Sequence, residues 1–281
     1  MLRAMRLLVT TTPDPPDALV ARARAVAERC ASQYVVRRGS VARMCRDTDN
    51  DVAYVVRRTR EELRAGAVSL HVHPGLFYLK REAGATHPLI RALAPPGGAP
   101  VATVVDATLG LAGDALFVAT QLAVDVIGVE ASPVLGALLE EGLPRMAREA
   151  GAWSAGAARV TLRRGDALDV LRTLPDGAVD VVYLDPMFET PLGAQAGFDL
   201  LRLFAEDAAL SPELLAEAWR VAARRVVLKV AGTATPPGFS AGPGWNRRVR
   251  GQAVDYLVLE GELTDPEYEA PTLGDPADAR G

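Results

Sequence analysis

The chain has 281 residues, of which 49% are hydrophobic, 23% charged and 5% aromatic. That composition excludes collagen-like, disulfide-scaffold and wholly disordered classes, and the length suffices for a sizeable core in one large domain or two smaller ones. The net charge of −4 hides an asymmetry: the first 100 residues carry 16 Lys+Arg against 9 Asp+Glu, and the remainder carries 15 against 26. A basic N-terminal third suits a polyanionic partner such as nucleic acid; the bland alternative is a solvated, arginine-rich surface, since Lys80 and Lys229 are the only lysines. No apolar run reaches the roughly eighteen residues of a membrane span, so no membrane association is expected. The opening MLRAMRLLVTTTPDPPD does not read as a signal peptide. Cys30 and Cys45 fit neither a disulfide framework nor zinc-ligand spacing, which makes a reduced, cytoplasmic compartment the default.

In chain order, residues 5–11 read as a strand, followed by Pro/Asp turn chemistry, and residues 18–31 show helical spacing through Leu19, Ala23, Val26 and Ala27. Residues 33–38 and 51–57 read as strands around a short helix capped by Ser40, and residues 69–81 as one or two strands broken at Pro74-Gly75. This small α/β unit, residues 1–95, closes at the Pro/Gly-rich stretch 94–100 and is a candidate RNA-binding domain. Residues 96–260 alternate more regularly. Strands are expected at 101–106, 124–130, 159–163, 179–184, 225–230 and 253–260, and helices at 114–122, 133–150, 168–174 and from Ser211-Pro212 onward. Such alternation argues for an α/β fold with a doubly wound, mostly parallel sheet. Residues 261–281 are acidic and proline-rich and read as a poorly ordered tail.

Ligands of such sheets bind outside the carboxyl ends of the strands. The first of those ends carries Asp106-Ala-Thr108-Leu-Gly110-Leu-Ala112-Gly113-Asp114, a small-residue turn that lets backbone approach a ligand and is not the dinucleotide fingerprint GxGxxG. The second ends in Glu130-Ala131, where a carboxylate accepts hydrogen bonds from both ribose hydroxyls of a nucleoside. The third is followed by Asp166-Ala167, placed to take an adenine amino group. The fourth leads into Asp185-Pro186-Met187-Phe188: a carboxylate and a proline-held carbonyl beside an aromatic ring, a set suited to gripping a planar exocyclic amine.

With these motifs in place, residues 104–231 resemble class I S-adenosylmethionine-dependent methyltransferases. DPMF is similar to the (D/N)PP(Y/F) signature of amino-group methylases. DATLGLAGDA, GVEASPVLGALLEEGL, VVYLDPMF and RRVVLKV resemble the small-subunit (16S) ribosomal RNA guanine-N2 methyltransferase family. The N-terminal third resembles a less characterised bacterial branch, through His73-Pro74 and FYLKR ending at Arg81. The resemblance implies a Rossmann-like seven-stranded sheet, S-adenosylmethionine as cofactor, and ribosomal RNA or the small ribosomal subunit as partner. It also implies cofactor contacts at Gly113, Asp114, Glu130, Ala131, Asp166, Ala167 and Asp185, with Asp106, Thr108 and Gly110 shaping the methionine end. Asp185, Pro186, Met187 and Phe188 would form the catalytic motif. Ala112 and Gly113 depart from the family's usual residues, which limits Gly113 to backbone contacts.

His71 and His73 form an HxH on one strand face, half of a metal site with no third ligand evident, so no metal is expected. His87-Pro88 opens a helix that could close over the cofactor, and the segment 245–250 (WNRRVR) is either a nucleic-acid contact or a hairpin edge. Two rival functions are weighed beside amino-group methylation of nucleic acid: a small-molecule or protein methyltransferase on the same fold, and a non-catalytic nucleic-acid-binding module.

Overall fold

The computed structural model describes residues 5–186, 200–204, 210–232 and 244–261. The N-terminal part builds a five-stranded sheet in the order β2-β1-β3-β4-β5. Its elements are β1 (Leu7–Thr11), α1 (Asp17–Arg29), β2 (Gln33–Tyr34), α2 (Val41–Asp47), β3 (Val52–Val56), β4 (Glu61–Ala65) and β5 (Val68–Leu70). Two short helices, α3 (Gly75–Lys80) and α4 (Pro88–Leu93), lead out of it. Then follow β6 (Thr103–Asp106), α5 (Gly113–Leu122), β7 (Asp125–Glu130), α6 (Pro133–Arg148), α7 (Ser154–Ala158), β8 (Val160–Arg164), α8 (Ala167–Arg172), β9 (Val179–Leu184), α9 (Pro212–Val221), β10 (Ala222–Ala231), β11 (Arg247–Arg250) and β12 (Val254–Glu260).

The second sheet has seven strands in the order β11-β12-β10-β9-β6-β7-β8. The five from β10 to β8 run parallel, and β12 lies antiparallel between β10 and β11. The doubly wound α/β sheet anticipated from the alternation is present. Its strands are apolar runs because both faces are covered: Val179–Leu184 is buried at every position. The two-residue period of the strands sends Val104, Val126, Val181 and Val227 into one core with α4 to α7. Val105, Ile127, Val182 and Val226 go into another, with α8 and α9. The first core also takes in Val9, Val52, Tyr54, Val56 and Leu63, so the inner face of the small sheet and the large sheet share one continuous apolar interior. Among the described residues no helix is long and apolar enough to cross a membrane.

Several local expectations are corrected. The segment 75–80 is helical rather than extended; its aromatic, β-prone residues are overridden because a helical turn buries Phe77 and carries Lys80, three residues on, to the same side. His71 and His73 consequently lie past the end of β5, not on a strand face. Strand β4 escaped the sequence reading because its first residues, Glu61 and Glu62, are buried carboxylates rather than an apolar run. Glu61 accepts from the Tyr54 hydroxyl and pairs with Arg22. The short α7 was also missed, and the second strand is only two residues long. The tail expected after residue 261 lies outside the described residues.

At the amino-terminal edge of the large sheet, Asp180 is 1% exposed. It accepts the Ala102 and Thr103 N–H groups at 2.7 and 3.0 Å, and faces Arg224 Nε at 3.0 Å. One carboxylate thereby joins β6, β9 and β10. Asp180→Ala would leave two N–H groups without their acceptor and remove the carboxylate facing Arg224, which keeps the Ala99 and Pro100 carbonyls, and should lower unfolding free energy by about 2–4 kcal/mol. Chemical denaturation checks this; a loss below about 1 kcal/mol would mean that the pairing contributes little.

Candidate active site

The sheet order reverses between β6 and β9, so the connections leaving their carboxyl ends part in opposite directions and open a crevice. The two ends are laced together. Asp106 Oδ1 accepts the Thr108 N–H at 3.1 Å, and Thr108 Oγ1 accepts the Asp185 N–H at 2.6 Å. The loop after β6 sits down on β7 because residue 128 is glycine: a Cβ there would fall 2.5 Å from the Leu109 side chain. Gly110 has φ +55°, and the place a Cβ would occupy has no heavy atom within 4 Å, so a ligand can come up against backbone. Ala112 holds the left-handed conformation (φ 61°) where glycine is usual.

Asp114, in the first turn of α5 and 9% exposed, is the electrostatic centre. Lys80 from α3 binds its Oδ1, the Tyr183 hydroxyl donates to Oδ2 at 2.8 Å, and Lys229 from β10 stands 3.4 Å from Oδ2. Lys229 also donates to Asp185 Oδ2 at 2.7 Å. Burial works against the Lys229 charge, yet the opposing pull of Asp185 and its neighbours raises the ammonium above its ordinary pKa. Burial, then the like charge of Lys229, draws Lys80 down to about 7, against Asp185 and Asp106; the contact with Asp114 also favours the ammonium. Asp106 is pushed up to about 7, first by burial and further by Asp185. Tyr183 is held neutral by burial, which raises its pKa well above the usual range.

The structure brings Asp106, Thr108, Gly110, Gly113, Asp114 and Asp185 to this one crevice. Glu130-Ala131 sits one strand across, with the buried Glu130 Oε1 accepting the Ser132 N–H at 2.8 Å. Asp166-Ala167 lies at the next strand, and Asp166 Oδ1 caps α8 by accepting from Leu168 and Asp169 at 2.9 and 3.3 Å. Pro186 is the last described residue before Met187 and Phe188, which lie outside the described residues. The histidines serve local structure. His73 Nδ1 accepts the Gly75 N–H and His87 Nδ1 caps α4 through Leu89, at 3.0 and 3.1 Å. No group of three metal-ligating side chains occurs among the described residues. Segment 245–250 supplies the edge strand β11.

Sequence reasoning missed Lys80, Tyr183 and Lys229. A signal existed for two of them: in a chain that otherwise uses arginine for every cation, the only two lysines meet at one carboxylate. A compact ammonium fits a narrow buried site that a guanidinium fork would overfill.

A doubly wound sheet with carboxylates along its carboxyl edge and a glycine-lined loop at its switch point defines a nucleoside-cofactor-binding domain. Residues 55–237 match the model of the putative SAM-dependent methyltransferase family. The chain belongs to that family. It is 29% identical over 228 residues to the uncharacterized protein YpiP of Bacillus subtilis, covering 79% of this chain and 88% of that one. It is 42% identical over 169 residues to the ribosomal RNA small subunit methyltransferase J of Laribacter hongkongensis, covering 58% of this chain and 59% of that protein. Over 93% of its length the fold is like that of the SAM-dependent methyltransferase NGO1261 of Neisseria gonorrhoeae, with TM-score 0.64, 21% identity and 99% of that chain covered.

The enzyme is therefore an S-adenosylmethionine-dependent methyltransferase. The crevice offers the chemistry such a cofactor requires: the buried carboxylates Glu130 and Asp106, and open room at the Gly110 backbone. Because Asp106 titrates near 7, a cation bound beside it favours the ionised form, lowers its pKa and releases a proton. S-adenosylmethionine affinity should thus rise from pH 6 to pH 8, and that of S-adenosylhomocysteine, which lacks the sulfonium charge, should rise less. Calorimetry in two buffers of different ionisation enthalpy measures both; equal pH slopes for the two ligands would dismiss Asp106 as the sulfonium's counter-charge.

Proposed function

We propose that this methyltransferase modifies an exocyclic amino group of a nucleic-acid base, with guanine N2 of small-subunit ribosomal RNA as the substrate best supported. The carrying observation is Asp185 at the switch point. Lys229 holds its Oδ2, the Thr108 hydroxyl accepts its N–H, and among the described residues Oδ1 takes no hydrogen bond. A fixed carboxylate with one oxygen available, followed by Pro186, is the acceptor set that an aromatic amine requires. Such an amine is a poor nucleophile because its lone pair delocalises into the ring. Acceptors at Asp185 and the Pro186 carbonyl favour the localised lone pair as the new bond forms, an effect realised in the transition state. The cofactor supplies the activated methyl group, and the chain's residues position the amine and exclude water. Met187 and Phe188 complete the motif in sequence, Phe188 as a stacking surface for the base.

The RNA reading draws further support from residues 1–95, whose cationic excess the fold concentrates. Arg57, Arg60 and Arg64 share one buried carboxylate, Glu62, at 2.6, 3.5 and 3.7 Å. Arg37 lies close enough to be disfavoured as a cation, by burial first and then by Arg57 and Arg64. Arg57 and Arg60 continue into an open groove of about 420 Å³ lined also by His71, His73 and Arg145. Three guanidiniums on one carboxylate leave net positive charge for a phosphate backbone. The relatives named as ribosomal RNA small subunit methyltransferases point the same way.

The test is methyl transfer from labelled cofactor to separated small ribosomal subunits, ribosomal RNA, transfer RNA and DNA, with mapping of the modified base. Asp185→Ala should lower turnover by about two to three orders of magnitude, through joint loss of positioning and acceptor, while RNA affinity stays near the wild-type value. Glutamate at positions 37, 38, 57 and 58 together should weaken RNA binding and flatten its salt dependence without changing cofactor affinity. A folded Asp185→Ala protein with wild-type turnover would end the amine reading, and labelling of protein or small molecules alone would end the RNA reading.

A further inference from the structure

We propose that Lys80 and Asp114 together form the receptor for the amino-acid end of S-adenosylmethionine, with Asp114 taking the α-ammonium and Lys80 the α-carboxylate. The inference rests on the placement of the cofactor at the switch point and adds to it a residue from outside the sheet domain. The two side chains already form an ion pair within the crevice, 16% and 9% exposed. Helix α5 opens there on Ala112, whose side chain provides no cap, and Gly113. Its first N–H groups therefore add to the field that welcomes a carboxylate.

The charge balance identifies the ligand. Asp114 is oversupplied, with two ammoniums and a hydroxyl on one carboxylate. A ligand bringing only a cation would displace Lys80 from Asp114 and leave a buried ammonium alone; a ligand bringing only an anion would compete with Asp114 for Lys80. A zwitterion does neither. Its ammonium replaces Lys80 at Asp114 while its carboxylate receives the released Lys80, so every desolvated charge keeps a partner. A lysine suits this exchange better than an arginine, because a flexible four-carbon stem can swing a point charge between two carboxylates. Burial and the like charge of Lys229 draw Lys80 down to about 7, and a further carboxylate beside it would secure its charge. Lys80 is carried by α3, which its buried Phe77 fastens to the shared core. The N-terminal part of the chain would thus complete the cofactor site as well as face the nucleic acid.

The experiment compares, by calorimetry at pH 6.5, S-adenosylmethionine with decarboxylated S-adenosylmethionine, which keeps the ammonium and sulfonium but lacks the carboxylate. The wild-type enzyme should prefer the complete cofactor about ten- to a hundredfold, the range for a hydrogen bond between charged groups. Lys80→Met should lose that factor for S-adenosylmethionine and bind the decarboxylated form no more weakly than wild type does. The ratio of the two affinities does not depend on the fraction of folded protein; if Lys80→Met is insoluble, Lys80→Gln is read in the same way. An equal loss for both ligands would make Lys80 a structural tie and overturn the proposal, as would an unchanged preference. Glu130→Ala, which removes the ribose acceptor altogether, separates the underlying assumption: it should weaken both ligands alike and preserve the ratio. Full affinity in that variant would remove the cofactor from this crevice whatever Lys80 does.

Discussion

Asp114 is where the molecule is tied together. A buried carboxylate persists as an anion only if partners replace the water it has lost, and here they come from three other parts of the chain: Lys80 on α3, Tyr183 on β9 and Lys229 on β10. The carboxylate itself stands on α5, directly after the loop that faces the ligand crevice. Meeting its needs therefore sets the distance between that loop and the neighbouring strands, and holds the N-terminal segment against the sheet. The apolar interior follows the same arrangement, since residues of the small sheet and of the large one fill one continuous core.

The two edges of the large sheet show how environment separates structural from chemical carboxylates. Asp180, at the amino edge, is buried against two N–H groups on one oxygen and an arginine on the other, so its contribution is cohesion. Asp106 and Asp185, at the carboxyl edge, are held by single local contacts and Lys229 and retain acceptor capacity. The same residue type, at opposite ends of adjacent strands, serves stability at one end and leaves acceptor oxygens toward the strand-end crevice at the other. This is the division expected when the connections that leave the carboxyl ends diverge.

The N-terminal sheet handles its cations in a related way. Adjacent glutamates on β4 alternate across the strand. Glu61 turns to Tyr54 and Arg22, and Glu62 gathers Arg57, Arg60 and Arg64. Anchoring the arginine stems at one buried point limits their motion, so a phosphate backbone would meet guanidiniums already ordered.

Much of this was legible in the residue order. The strands 179–184 and 124–130 declare themselves because both-face burial demands near-continuous apolar runs, interrupted inside only by Asp180 and Asp125 near their starts, and Ser40 and Ser211 mark helix starts because their hydroxyls accept the N–H groups of Arg43 and Leu214. The carboxylates at successive strand ends and the DPMF motif were visible for the same local reason: each stands at the end of its own strand or in the turn that directly follows it, so strand and acid are read together. The helix at 75–80, the charged strand β4 and the roles of Lys80, Tyr183 and Lys229 were not visible. Each depends on a partner 34 to 115 residues away at Asp114, or on carboxylates buried against distant arginines. Sequence alone determined the sheet and the line of acids along its edge, because periodicity and turn chemistry act between near neighbours. Only the tertiary structure decided which cations face those acids, because an ion pair between remote residues exists only once folding has removed the water between them.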